Sequence, residues 1–366
     1  MMTNLSVTAL GAVTSVGHDA ATACSSIRAG LTRPSTIDSF EVLDVVEQEP
    51  VGLTAHALGT LTLGFSGVGR WLQMAALALE DLSLSGSLPP AEETSFWSAV
   101  DCYIVVPNLD PWRFNPRGPS GSAAALEASL VQPLRKRCAT FFAPSRVALL
   151  PRGRVGTLEA IQLVARGVTD GIRGAVILAV DSLVDEEALL WLAESDRLKE
   201  DDNPVGLVPG EAAVAFLVEP AAFATERGNG VLAEVLAVAT ARENHAFLRG
   251  ETSLGDGMAE VVQRVIRDAD VPTPYISDVL LDLNGEPWRS AEYGNARVKI
   301  PPSVWAGDRY TTPASSVGDV GAVTVALELA VGCHALSRRY AAGPNVLLIA
   351  SDEYGEVCAA VLGRED

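Results

Sequence analysis

The nucleophiles and bases of this 366-residue chain are scattered rather than clustered. Five cysteines, Cys24, Cys102, Cys138, Cys333 and Cys358, lie far apart with no CxxC pair, so neither a zinc site nor a disulfide framework is predicted. The four histidines, His18, His56, His245 and His334, include no two at the i, i+3 or i+4 spacing that would put a pair of metal ligands on one helix face. No metal and no cofactor is predicted, and a GxSxG elbow is missing. Acidic neighbours such as Glu92/Glu93, Asp185/Glu186/Glu187 and Asp201/Asp202 stand in polar connections, where solvated loop charge is the ordinary reading. The run Arg152-Gly153-Arg154 falls at a helix start. Two guanidiniums and free backbone N–H groups could hold an anion there, or the cations are neutralised internally. Trp112, Trp288 and Trp305 occupy loop-like stretches and are either interface anchors or packing residues.

The elements that must position these residues follow from hydrophobic period and turn chemistry. Leu5 to Leu10 reads as a strand, and Asp19 to Ala29 as a helix that stops at Gly30. Residues 31 to 68 read as irregular. A helix follows from Val68 to Leu84, closed by Ser85, Gly86, Pro89 and Pro90. Tyr103 to Pro107 is a buried strand, Asn108 to Ser122 a proline-bearing surface loop, and Ala123 to Val131 a helix. At Val147 the sequence VALL ends a strand, PRGRVG turns, and TLEAIQLVARGV forms a helix. GAVILAV (174–180) and AAVAFLV (212–218) are continuous apolar runs, as expected of strands covered on both faces, with a polar segment around Lys199 to Pro204 between them.

The same order recurs near the C-terminus. SSVGDVG leads into the helix AVTVALELAVGCHAL, then the strand NVLLIASDE and a last strand EVCAAVLG, so that Asp181 and Ser182 match Ser351 and Asp352. Val231 to Val238 takes the part of Leu5 to Leu10. This predicts a duplicated mixed α/β chain with halves 1–225 and 226–366 in one compact unit.

Composition bounds the partners. The chain is 48% hydrophobic and 20% charged, which excludes disorder, and its net charge of -19 excludes phosphate-backbone binding. The same charge disfavours long-range attraction to an acidic carrier protein. No apolar run reaches the length of about 18 residues that a membrane span needs, and the N-terminus lacks the basic flank of a signal peptide, so a cytoplasmic protein is expected.

Taken in order, these landmarks resemble the β-ketoacyl synthases of the thiolase-like superfamily. VTALGAVTSVGHDAATACSSIRAGLT is similar to the family's first strand and helix, GLVPGEAAVAFLVEP to its GxxxGEGAA segment, SSVGDVGA to the segment around its Gly-His pair, and IASDEYGEVCAAVLG to its last hairpin. The resemblance implies a five-layer αβαβα fold with two mixed sheets. It also implies a cysteine nucleophile on a strand-to-helix elbow and two assisting histidines. Here the matching positions hold Arg154, Asn284 and Asp319. A guanidinium is no thiol nucleophile, an amide does not titrate near neutrality, and a carboxylate accepts where a cationic donor is needed. The string Thr22-Ala-Cys-Ser-Ser26 is similar to the family's nucleophile motif, yet Cys24 falls in the first helix, far from the elbow.

The resemblance therefore implies a non-catalytic chain. Arg154 is expected to fill the vestigial pocket and pair with Asp319 or Asn284, with Arg152, Arg154 and Asp319 as binding candidates. A protein-binding adaptor or chaperone is expected, one setting for thiolase-like proteins being beside type VI secretion effectors. The alternatives are an acyl-chain or acyl-carrier-binding partner subunit of a ketosynthase, resembling a chain length factor, and an acyltransferase using Cys24 or Cys138. A homodimer through residues near Ser145 to Leu150 is also implied.

Overall fold

The computed structural model describes residues 5–44, 48–85, 88–142, 146–228, 230–307 and 309–364. Its strands are β1 (Leu5–Thr14), β2 (Ser35–Asp44), β3 (Glu49–Ala55), β4 (Val100–Val106), β5 (Val147–Pro151), β6 (Gly174–Ser182), β7 (Glu211–Pro220), β8 (Ala233–Arg242), β9 (Asp278–Leu281), β10 (Tyr310–Thr311), β11 (Asn345–Ser351) and β12 (Glu356–Gly363). The helices of eight residues or more are α1 (Ala20–Arg28), α2 (Gly67–Leu84), α3 (Gly156–Thr169), α4 (Glu186–Glu194), α5 (Asp256–Asp268), α6 (Pro287–Lys299) and α7 (Thr324–Ser337).

Two five-stranded arrays carry the fold. In the first the order is β1-β7-β6-β4-β5, and in the second β8-β12-β11-β9-β10. The sense of pairing repeats as well: antiparallel, antiparallel, parallel, parallel in each. The expected two sheets differ from the structure in one respect. Leu5 to Val7 of β1 pair with Ala233 to Val235 of β8, and this short ladder joins the arrays into one ten-stranded sheet. A pair of leading strands that approach closely enough to share backbone hydrogen bonds leaves no unpaired edge in the interior.

The layers follow from which faces are apolar. α3 and α7 lie in the middle, packed with side chains from both arrays in one core. α7 is buried nearly all round, as a helix with apolar residues on every face must be. α2 covers the outer face of the first array through Trp71, Met74, Leu79 and Leu82, and α5 covers the second through Val261, Val262, Val265 and Ile266. The order helix, sheet, helix, sheet, helix results. β6 and β7 are buried on both faces, which accounts for their unbroken apolar runs.

One expectation fails outright. Residues 31 to 68 are not irregular, because β2 and β3 form a separate hairpin packed on α4. Its alternation is hidden by a register shift between Ile37 and Glu41, which breaks the period of two. The helix expected at 123–131 runs on to Arg137 through a π-turn at Glu127–Val131. Gly86, named as a closer of α2, and Ser145, named at the dimer face, lie outside the described residues. Among the described residues no helix is long and apolar enough to cross a membrane.

Candidate functional site

β5 ends at Pro151, and Gly153 then turns the chain with φ +54° before a short 3-10 turn, Gly153–Val155, opens α3. That left-handed conformation favours glycine, and a Cβ there would also stand 2.8 Å from the Asn108 side chain. The second half repeats the device. Gly321, also at φ +54°, opens the turn Gly321–Val323 ahead of α7, and a Cβ on it would fall 2.0 Å from an Asp181 oxygen.

Arg154 leaves its turn into the interior, where it is 4% exposed. Its Nη2 donates to both Asp319 oxygens at 2.6 and 2.5 Å, and Nη1 donates to the Thr324 hydroxyl at 2.6 Å. Asp319 also accepts from Asn284 Nδ2 at 2.5 Å and from the Gly321 backbone N–H at 2.8 Å. Burial raises its pKa, but Arg154 and Arg289 together with these donors outweigh burial and hold the carboxyl well below the usual range. Arg154, Asn284 and Asp319 are thus brought together in one hydrogen-bonded cluster.

Arg152 is not part of it. Its guanidinium points away and forms a two-point pair with Glu159 at 2.7 and 2.8 Å. The two cations do not converge on an anion; each has its own carboxylate.

A second set of charges surrounds the first. Asn284 also donates to Glu286 at 2.8 Å, and Glu286 accepts two bonds from Arg197 at 2.7 and 3.0 Å. Arg197 reaches Glu353 at 3.1 Å, and Arg289 pairs with Asp282 at 2.6 Å. Burial raises Glu353, and Arg197, Arg154 and Arg289 then bring it down to about 2. On the far side Arg113 pairs with Asp181 at 2.6 Å, and Asp181 accepts the Ala322 backbone N–H at 2.9 Å. The carboxylates of Asp181 and Asp319 therefore both sit on N–H groups at the head of α7, where a helix end favours negative charge. Glu328 of α7 is fully buried and its carboxylate makes no hydrogen bond, and burial, then Asp282, push its pKa well up.

The guanidiniums and carboxylates leave little space. The cavity beside Arg154, lined by Asn108, Arg113, Asp181 and Glu353, holds about 30 Å³, and a second beside Asp319 about 10 Å³. Room of that size suits one water molecule and not an acyl chain. Outside it a wider groove of about 830 Å³ opens past Leu109, Trp112, Arg152 and Tyr354.

Sequence reasoning missed Arg113, Asp181, Arg197, Glu286, Arg289 and Glu353. A signal existed for two of them: the apolar strands β6 and β11 each run into acidic residues, Asp181 and Asp352-Glu353, and a buried strand ending in carboxylate needs a cation near. The remaining candidates separate. Cys24 is fully buried in α1, and burial, then Asp19 and Asp81, push its thiol up to about 12. Burial also raises Cys138. Trp305 is core and Trp288 stacks on Phe247 at 5.0 Å from within α6, whereas Trp112 is 84% exposed. His56 is buried with a free Nδ1, His245 stands 3.6 Å from Glu251, and His334 bonds Tyr340 at 3.0 Å; His18 is exposed.

Comparison with solved structures places this architecture in the thiolase-like fold, in the form that ketosynthases and chain length factors have. No protein-family model matches the chain, and no curated protein does. AntDE:AntF, described as a type II PKS acyl-carrier protein in complex with its ketosynthase, is similar with a TM-score of 0.80 at 14% identity, over the whole of both chains. The ishigamide ketosynthase/chain length factor gives 0.71 at 18%, over 99% of this chain and all of that one. A β-ketoacyl synthase from Burkholderia phymatum gives 0.70 at 15%, over both chains in full. At such identities the likeness is one of fold.

Proposed function

We propose that this chain is a non-catalytic ketosynthase-like subunit that works by binding another protein, as the chain-length-factor-like partner of an active ketosynthase. The observation that carries this is Arg154 at the elbow, locked onto Asp319. In this reading Arg154, Asn284 and Asp319 stand where a ketosynthase has its cysteine and two histidines. A permanent cation there offers no nucleophile, and loss of a nucleophile alone costs on the order of a millionfold in turnover. The cavity beside Arg154 has room for about one water molecule, which supports binding by surface rather than by acyl chain.

The surface that suits such a partner is β5. It ends the ten-stranded sheet, pairs only with β4 among the described residues, and its sequence Val147-Ala-Leu-Leu-Pro151 is apolar and half-buried. An apolar edge of this kind is a template for a strand from another chain. In the absence of the partner the same edge supports a homodimer.

The reading is tested by copurifying the protein from its native host at low expression. A ketosynthase recovered in equal amount is the expected result. Stoichiometric recovery of a secretion effector or other unrelated protein would overturn it in favour of an adaptor.

A further inference from the structure

The hairpin that sequence reading missed carries a second surface. β2 pairs with β3 on one side and, among the described residues, with nothing on the other. A groove of about 550 Å³ lies between this strand and residues 193–203. Four consecutive β2 residues, Phe40 to Leu43, line it. Alternate strand residues face opposite sides, so a groove touching four in a row follows the strand's edge.

The groove combines apolar footing with one sign of charge. Phe40, Leu43 and Leu198 give the apolar part, with Leu43 51% exposed. Glu41, Asp196, Glu200 and Asp202 give the charge, and among the described residues no Lys or Arg lines the groove. The carboxylates interact instead with one another: burial raises Glu200, and Asp202 and Asp196 raise it further. A site that holds like charges together unpaired is relieved by an incoming cation.

We propose that this groove docks an extended, lysine- and arginine-rich segment of a partner protein, which adds as a strand to the open edge of β2. Backbone hydrogen bonds to β2 supply the register, alternate apolar side chains run beside Phe40 and Val42, and the basic side chains meet Glu41, Asp196, Glu200 and Asp202. None of these residues belongs to β5, so this docking site stands apart from the subunit contact proposed above.

The test uses a fluorescein-labelled nonapeptide of alternating lysine and valine, with a glutamate–valine peptide as control, titrated with the full-length protein and read by anisotropy. Saturable binding of the lysine peptide alone is expected. It should weaken about tenfold in the variant E41Q/D196N/D202N and hardly at all in E92Q/E93Q/E226Q, which removes equal charge from other exposed positions. Amide hydrogen exchange at residues 40–43 should slow on binding, which long-range attraction alone would not cause. Absence of saturable binding, equal weakening in the two triple variants, or unchanged exchange at 40–43 each overturns the proposal.

Discussion

Arg154 and Asp319, 165 residues apart in the chain, meet through one guanidinium nitrogen shared between both carboxylate oxygens, at 2.6 and 2.5 Å. One residue belongs to the turn before α3 and the other to the segment before α7, so the pair ties together the heads of the two central helices. Both side chains are shut off from water. A buried pair of this sort adds little net stability over apolar packing, but either half left alone is costly.

Removing one member should therefore cost more than removing both. Arg154→Met is expected to destabilise the fold by about 3–5 kcal/mol, since it leaves Asp319 charged and buried. R154M/D319N should recover most of that loss, the asparagine still accepting from the Gly321 N–H. Urea denaturation of the three proteins measures it; a double variant as unstable as R154M contradicts the pairing account.

Acid–base behaviour should follow Asp352. Burial, then Glu353 beside it, push its carboxyl up to about 7. A folded-state pKa above the unfolded value means the native protein holds the proton more tightly. The stabilisation is full below the unfolded pKa and is lost as pH rises towards 7. D352N imitates the protonated form and keeps an acceptor oxygen for the Tyr354 and Glu356 N–H groups. Between pH 5 and 8 the parent should lose about 2 kcal/mol more than D352N does. Equal losses, by denaturation at the two pH values, would remove Asp352 as the cause.

Thiol chemistry should be slow. With Cys24 raised to about 12 and Cys138 also raised, neither offers appreciable thiolate at pH 8. Native alkylation followed by peptide mass spectrometry should modify the partly exposed Cys138 first and leave Cys24 intact until the protein unfolds. Rapid native labelling of Cys24 would restore the acyltransferase reading.

How far the sequence foretold the molecule depends on period. β6, β7 and α7 announce themselves because burial on all sides writes an unbroken apolar run. The hairpin β2–β3 does not, because the register shift at Ile37 to Glu41 interrupts its alternation and half its residues face water. Arg154 was legible as one of two cations at a helix start, whereas its pairing with Asp319 and Asn284 was legible only through the resemblance of their flanking segments. Arg197 and Arg289 were not legible: each stands among other charged residues in a polar-looking stretch, and Arg197 is paired by carboxylates far away in sequence, Glu286 and Glu353.

The β5 edge yields a prediction independent of the pocket. Val147→Lys with Leu149→Lys places two cations on a half-buried strand that ends the sheet, the means by which proteins discourage strand addition. Copurified ketosynthase, or the homodimer in its absence, should fall by more than about tenfold while the far-UV circular dichroism is kept. Full retention of the assembly would move the contact elsewhere.

The most direct test is the intact mass of this chain after incubation with acyl-carrier and acyl-coenzyme A thioesters, alone and with its copurified partner. The account predicts an unchanged mass for this chain and an acyl gain on the partner's nucleophile. A gain equal to an acyl group on this chain, mapped to any of its residues, would contradict it.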